Sequence, residues 1–94
     1  MSFMRTLESI IRHRKANPVE GSYTNKLLSE GRARMAQKVG EEGVEIVVAS
    51  LSQDRERQIS ETADLFYHTL VLLCELDITL DDVESELQRR HSPR

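Results

Sequence analysis

Five acidic residues in two short segments carry the chemistry that this chain offers: Glu41, Glu42 and Glu45, then Glu61 and Asp64. A helix turns about 100° per residue, so Glu45 falls about 40° and Glu42 about 100° from Glu41, and the three share one stripe. Glu61 and Asp64 lie three residues apart, on one face of a following segment. Carboxylates crowded in this way repel one another, and withdrawing them from water costs several kcal/mol unless a cation neutralises them. An all-oxygen set suits a hard divalent ion, Mg2+ or Mn2+, rather than zinc or copper, and leaves coordination positions open to phosphate oxygens. The competing reading places the same acids on solvated faces, paired with Arg32, Arg34, Lys38, Arg55 or Arg57. A di-iron carboxylate bundle is excluded, because it needs Glu-x-x-His and His68 is preceded at that spacing by Leu65. His68, one turn after Asp64, either orients a carboxylate or is an ordinary satisfied histidine on a helix face.

The elements that must position these acids are helices. Phe3, Leu7, Ile10 and Ile11 recur at helical spacing, Ser2 is a fair N-cap, and Asn17-Pro18 is a stop, which predicts a first helix over 3–16. Residues 17–22 read as loop, and a short helix over 24–29 ends at Gly31. From Arg32 to Leu51 only Gly40 and Gly43 weaken a long helix, whose Val44, Ile46, Val47, Val48 and Leu51 make it apolar nearly all round and hence expected to be buried. Ser52, Gln53 and Asp54 form a polar connector. Ile59, Ala63, Phe66, Leu70 and Leu73 then mark a helix running to about Leu76, antiparallel to the one before it, so that the two acidic groups face each other. Thr79 caps a last helix with Asp81 and Asp82 in its first turn and Arg89 and Arg90 near its end. No alternating strand pattern, repeat or second domain is present in residues 1–94. The expected fold is all-α, a bundle of four main helices completed by oligomerisation.

Composition narrows the function classes. The chain has 94 residues, 38% apolar and 31% charged, ordinary for a folded helical domain. A chain this short buries a modest share of its surface alone, so a homo-oligomer, at least a dimer, is expected. The formal charge of −3 leaves no cationic excess for nucleic acid or anionic lipid. The apolar run Leu70 to Cys74 is too short to span a bilayer, and the N-terminus lacks a secretory hydrophobic segment, so a cytoplasmic protein without membrane contact is expected. The single cysteine, Cys74, sits in that run and reads as a buried core thiol.

The segment Glu41-Glu42-Gly43-Val44-Glu45, followed after fifteen residues by Glu61-Thr62-Ala63-Asp64, resembles the EExxE and ExxD signature of the MazG-like all-α nucleotide pyrophosphohydrolases. Gly21-Ser22-Tyr23-Thr24-Asn25-Lys26-Leu27-Leu28, Lys38-Val39-Gly40-Glu41-Glu42, Ala63-Asp64-Leu65-Phe66-Tyr67-His68 and the closing Leu87-Gln88-Arg89-Arg90-His91 resemble, more narrowly, the phosphoribosyl-ATP pyrophosphatase branch. The resemblance covers nearly the whole chain. It implies hydrolysis of phosphoribosyl-ATP to phosphoribosyl-AMP and pyrophosphate, the second step of histidine biosynthesis. It also implies Mg2+ on Glu42, Glu45, Glu61 and Asp64, with Glu41 as a further ligand or as the base for water.

Lys26 and Lys38 flank the motif, match the family pattern and are the first candidates for the substrate's phosphates. Ser22, Tyr23 and Thr24 offer hydroxyl or backbone donors to a phosphate or ribose, or serve as turn and N-cap residues. Gln37 departs from the common family spelling, where a second lysine often precedes Lys38. Some relatives are fused to a cyclohydrolase, for which 94 residues leave no room. Two other functions share the same features: a house-cleaning pyrophosphohydrolase of other nucleotides, and a non-catalytic helical dimerisation module.

Overall fold

A computed structural model describes residues 2–93 and contains helices α1 (Phe3–Ala16), α2 (Tyr23–Glu30), α3 (Arg32–Ser52), α4 (Arg55–Glu75) and α5 (Leu80–His91). Among the described residues there is no strand. The ends follow the local chemistry. The Ser2 side chain accepts the Met4 N–H at 3.1 Å to open α1, and His13, Arg14 and Lys15 sit in its negatively polarised last turn. Ser22 Oγ accepts the Asn25 N–H at 3.2 Å to open α2, which begins one residue before the expected Thr24. Gly31, at φ 95, both ends α2 and precedes α3; that backbone angle is one L side chains rarely adopt.

α3 and α4 form the antiparallel hairpin expected of them, joined by Gln53 and Asp54 alone. Asp54 accepts the Arg57 N–H at 2.9 Å, so α4 starts a full turn before Ile59, where apolar periodicity first becomes visible. α4 ends with Asp77 at φ 58, its N–H bonded to the Cys74 carbonyl and the Ile78 N–H to that of Leu73 at 2.9 Å, an arrangement of the Schellman type. Thr79 and Asp82 then make a reciprocal capping box for α5. No residue of α5 is buried, and polar contacts to α1 hold its start. Glu8 Oε2 accepts the Leu80 N–H at 2.7 Å, and Arg5 pairs with both Asp81 and Glu84.

The core joins four helices through Ile11, Leu27, Met35, Leu70, Val71 and Cys74, with Met4, Leu7, Leu28, Tyr67 and Leu72 packed around it. Each large side chain so buried contributes about 1.5–3 kcal/mol, which makes this a small core. The radius of gyration, 14.8 Å, exceeds the roughly 12 Å of a compact chain of this length. The open shape shows on α3. Its covered face runs through Met35, Val39, Glu42, Ile46 and Ala49, whereas Val44, Val47, Val48 and Leu51 are exposed, Leu51 to 83%. The expectation that α3 is buried all round is therefore corrected for the single chain. The helix has two apolar faces about 180° apart, and intramolecular packing covers only the one that meets α4 and the core.

Candidate active site

The packing of α3 on α4 decides which acids meet. Glu42 lies on the covered face of α3 with a side chain 12% exposed, and Glu61 on α4 is buried at 6%. Asp64 follows Glu61 by one turn at the exposed rim. One carboxylate oxygen from each of Glu42, Glu61 and Asp64 lies within 4.8 Å of the other two. Ligands on opposite sides of a Mg2+ ion stand roughly 4 Å apart, so small side-chain rotations bring these three oxygens into one coordination shell. The donors are hard anionic oxygens, and one side of the group is open to solvent. The cluster thus fits Mg2+ or Mn2+ and leaves room for phosphate oxygens.

Glu41 and Glu45 stand outside this group and are exposed, which corrects the reading of the EExxE acids as one buried stripe. The covered face of α3 centres about 110° round from Glu41 and the uncovered apolar stripe about 70° the other way. Glu41 and Glu45 fall at the border between them. Gln37 Nε2 donates to Glu41 at 3.0 Å. Two cations compensate the inner acids: Lys38 Nζ lies 3.5 Å from Glu42 and 3.7 Å from Glu41, and Arg57 Nη2 lies 2.6 Å from Glu61. Lys38, a candidate phosphate ligand, is thus held against carboxylates. From sequence Arg57 reads only as a possible surface partner of the acids, although its position four residues before Glu61 is the usual spacing of a helical ion pair.

Beside the acids lies a polar and aromatic corner where α2 meets α4. His68 is buried at 7%, with Nδ1 2.7 Å from the Asp64 carbonyl oxygen and 4.0 Å from Glu42 Oε1. Its Nε2 is 3.0 Å from the Tyr23 hydroxyl. The Tyr23 ring stacks on Tyr67 at 6.2 Å, and Tyr67 bonds Thr24. Burial pushes the Tyr67 phenol up, with the Thr24 bond acting against it. The link between Tyr67 and Thr24 has no signature in sequence, because a tyrosine on an apolar helix reads as core.

Tyr23 is half exposed and lines a depression of about 560 Å³ with Glu20, Ser22, Asn25, Lys26 and Ser29. Lys26 has no ion-pair partner among the described residues, so its charge is available there. The family described as phosphoribosyl-ATP pyrophosphohydrolase matches residues 4–91. The chain belongs to that family.

Two similar proteins are the phosphoribosyl-ATP pyrophosphatases of Metallosphaera sedula and Sulfurisphaera tokodaii, each 55% identical. The alignments cover 93% of this chain and 94% of the first relative, and 90% of both chains for the second. The histidine biosynthesis bifunctional protein HisIE of Pyrococcus furiosus is 53% identical over 96% of this chain, which spans 42% of that protein's length. Tyr23 and Lys26 both line the depression at the start of α2.

Proposed function

We propose that this chain hydrolyses phosphoribosyl-ATP to phosphoribosyl-AMP and pyrophosphate, the second step of histidine biosynthesis, using Mg2+ held by Glu42, Glu61 and Asp64. The observation that carries this reading is the convergence of those three carboxylates on one point from two helices. Glu45, one turn after Glu42 at the border of the covered face, is the fourth candidate ligand. Mn2+ meets the same donor requirements.

When bound, the ion supplies positive charge against the triphosphate oxygens during cleavage. The chain's own residues do the rest. Lys26 places a cation at the phosphates, and Lys38, held beside Glu41 and Glu42, is the second candidate. Glu41 is the candidate base: it accepts a proton from the water that attacks phosphorus as the bond to the departing pyrophosphate breaks. Membrane contact plays no part in this scheme, which suits a cytoplasmic enzyme, and no helix among the described residues is long and apolar enough to cross a membrane.

The site is completed by a second copy. Val44, Val47, Val48 and Leu51 on α3 and Ile59 and Phe66 on α4 are all 44% exposed or more, and both rows follow helical spacing. Exposed apolar rows of this kind are what helical homodimers bury. Glu41 and Glu45 would then lie at the edge of the interface. Pyrophosphate release from phosphoribosyl-ATP, measured with and without Mg2+, tests the reading. Metal-dependent release is expected, and release at equal efficiency from ordinary nucleoside triphosphates would point to a house-cleaning role instead.

A further inference from the structure

The side chain of Asn25 ties the start of α2 to two earlier segments. Its Nδ2 donates to the Arg14 carbonyl at 2.8 Å, in the last turn of α1, where carbonyls lack helical partners. Its Oδ1 accepts the Val19 N–H at 2.9 Å. A carbonyl only accepts and an N–H only donates, so the two bonds fix which way the amide faces. Val19 in turn opens a tight turn, closed by the Ser22 N–H on the Val19 carbonyl at 3.2 Å and passing through Gly21 at φ 84.

Lys26 comes next in the chain, and its N–H bonds the Ser22 carbonyl at 3.0 Å. Four consecutive residues here divide the circumference of the helix between them. Thr24 bonds Tyr67 of α4, Asn25 holds α1 and the loop, and Leu27 is buried in the core. Lys26 is left exposed, lining the depression with Glu20, Gly21 and Ser22. A helix of eight residues is not stable alone, so its first turn takes its orientation from these ties. The lysine ammonium rides on a flexible stem, and its reach is set by where its backbone is held.

Building on the proposed hydrolysis of phosphoribosyl-ATP, in which Lys26 meets the phosphates, we propose that Asn25 is the positioning residue for Lys26, its two bonds setting where the ammonium stands before substrate arrives. Asn25 touches no reacting group in this scheme. Its influence runs through Lys26, and a cation at a phosphate away from the acid cluster serves binding, so the effect falls on KM rather than on turnover.

The test is steady-state pyrophosphate release from phosphoribosyl-ATP by the full chain and by Lys26→Ala, Asn25→Ala, Asn25→Asp and the two double variants that combine Lys26→Ala with each change at Asn25. The Mg2+-induced rise in melting temperature is measured for each. Lys26→Ala should raise KM about tenfold, the range of one charge-assisted contact, and Asn25→Ala about three- to fivefold, with kcat within about twofold and the Mg2+ response intact. Asn25→Asp keeps the acceptor for Val19 but sets a carboxylate against the Arg14 carbonyl, so it should raise KM in the same range, and it carries the test where Asn25→Ala fails to fold. With Lys26 already replaced, neither change at Asn25 should raise KM further, a coupling that general loosening of the fold would not produce. Unchanged KM in Lys26→Ala or in the Asn25 variants overturns the proposal. Additive losses in the double variants overturn it too, as does a fall in kcat together with a weakened Mg2+ response, which would place Asn25 in service of the carboxylates. A wild-type chain that releases no pyrophosphate refutes the hydrolysis itself and the role of Asn25 with it, whereas release by wild type with unaffected Asn25 variants removes Asn25 alone.

Discussion

Arg57 Nη2 stands 2.6 Å from Glu61 Oε1, one turn away on α4, and so occupies the most buried carboxylate of the acid cluster. Lys38 does the same for Glu42 at 3.5 Å. The two cations offset the converging negative charges in the folded chain. They would also compete with the Mg2+ proposed at these acids. Replacing one partner of an ion pair that involves a buried acid leaves an uncompensated charge, which is costly.

Arg57→Gln should therefore lower the melting temperature in the absence of metal while enlarging the rise caused by Mg2+, because the ion no longer displaces a bound guanidinium. Thermal melts of both proteins across a Mg2+ titration measure this. A smaller Mg2+ response in the variant would mean that Arg57 supports the ion rather than competing with it.

Glu61→Gln and Asp64→Asn should each reduce pyrophosphate release by about a hundredfold or more, because in the proposed function both would hold the ion whose charge stabilises the transferring phosphoryl group. Glu45→Gln is expected to lose activity to the same extent without loss of stability, since Glu45 is exposed and has no ion pair among the described residues. Retained activity in Glu45→Gln would confine the metal set to Glu42, Glu61 and Asp64.

Val47 is 57% exposed on the uncovered face of α3, so Val47→Lys removes nothing from the core of the chain. The helical signal in circular dichroism should persist, while light scattering should show monomers in place of the proposed homo-oligomer. An oligomer that survives the substitution would move the interface away from this face.

The start of α5 should be acid-sensitive. The backbone N–H of Thr79 bonds the Asp82 carboxylate and holds its pKa below the usual carboxylate range. A carboxyl with a lowered folded pKa stabilises fully above its unfolded pKa, and that contribution fades as pH falls through the folded value. Asp82→Ala should hence destabilise α5 at neutral pH and differ progressively less from wild type below the carboxylate range, as read by amide exchange of residues 80–84. Thr79→Ala, which removes the other half of the box, should cost about 1 kcal/mol.

Much of this protein was legible in the order of its residues. Helix boundaries were readable because caps and stops act within four residues: Ser2, Asn17-Pro18, Gly31 and Thr79 all lie where the helices begin or end. The antiparallel hairpin followed from a connector too short to permit anything else, and the acidic motif with its family resemblance followed from residue type and spacing. Only the tertiary structure decided which acids meet. Helical periodicity places Glu41, Glu42 and Glu45 on one stripe but is silent on which side of it another helix will pack, and α4 covers Glu42 alone. The same limit left open which face of the nearly all-apolar α3 the chain itself covers, since a row of valines reads as buried whether its cover is the chain itself or a second copy. It also hid the Tyr23–His68 bond, whose partners are 45 residues apart and meet only because α2 packs across α4. Local rules reach one or two turns along the chain, whereas a site assembled from separate helices depends on which faces the core draws together.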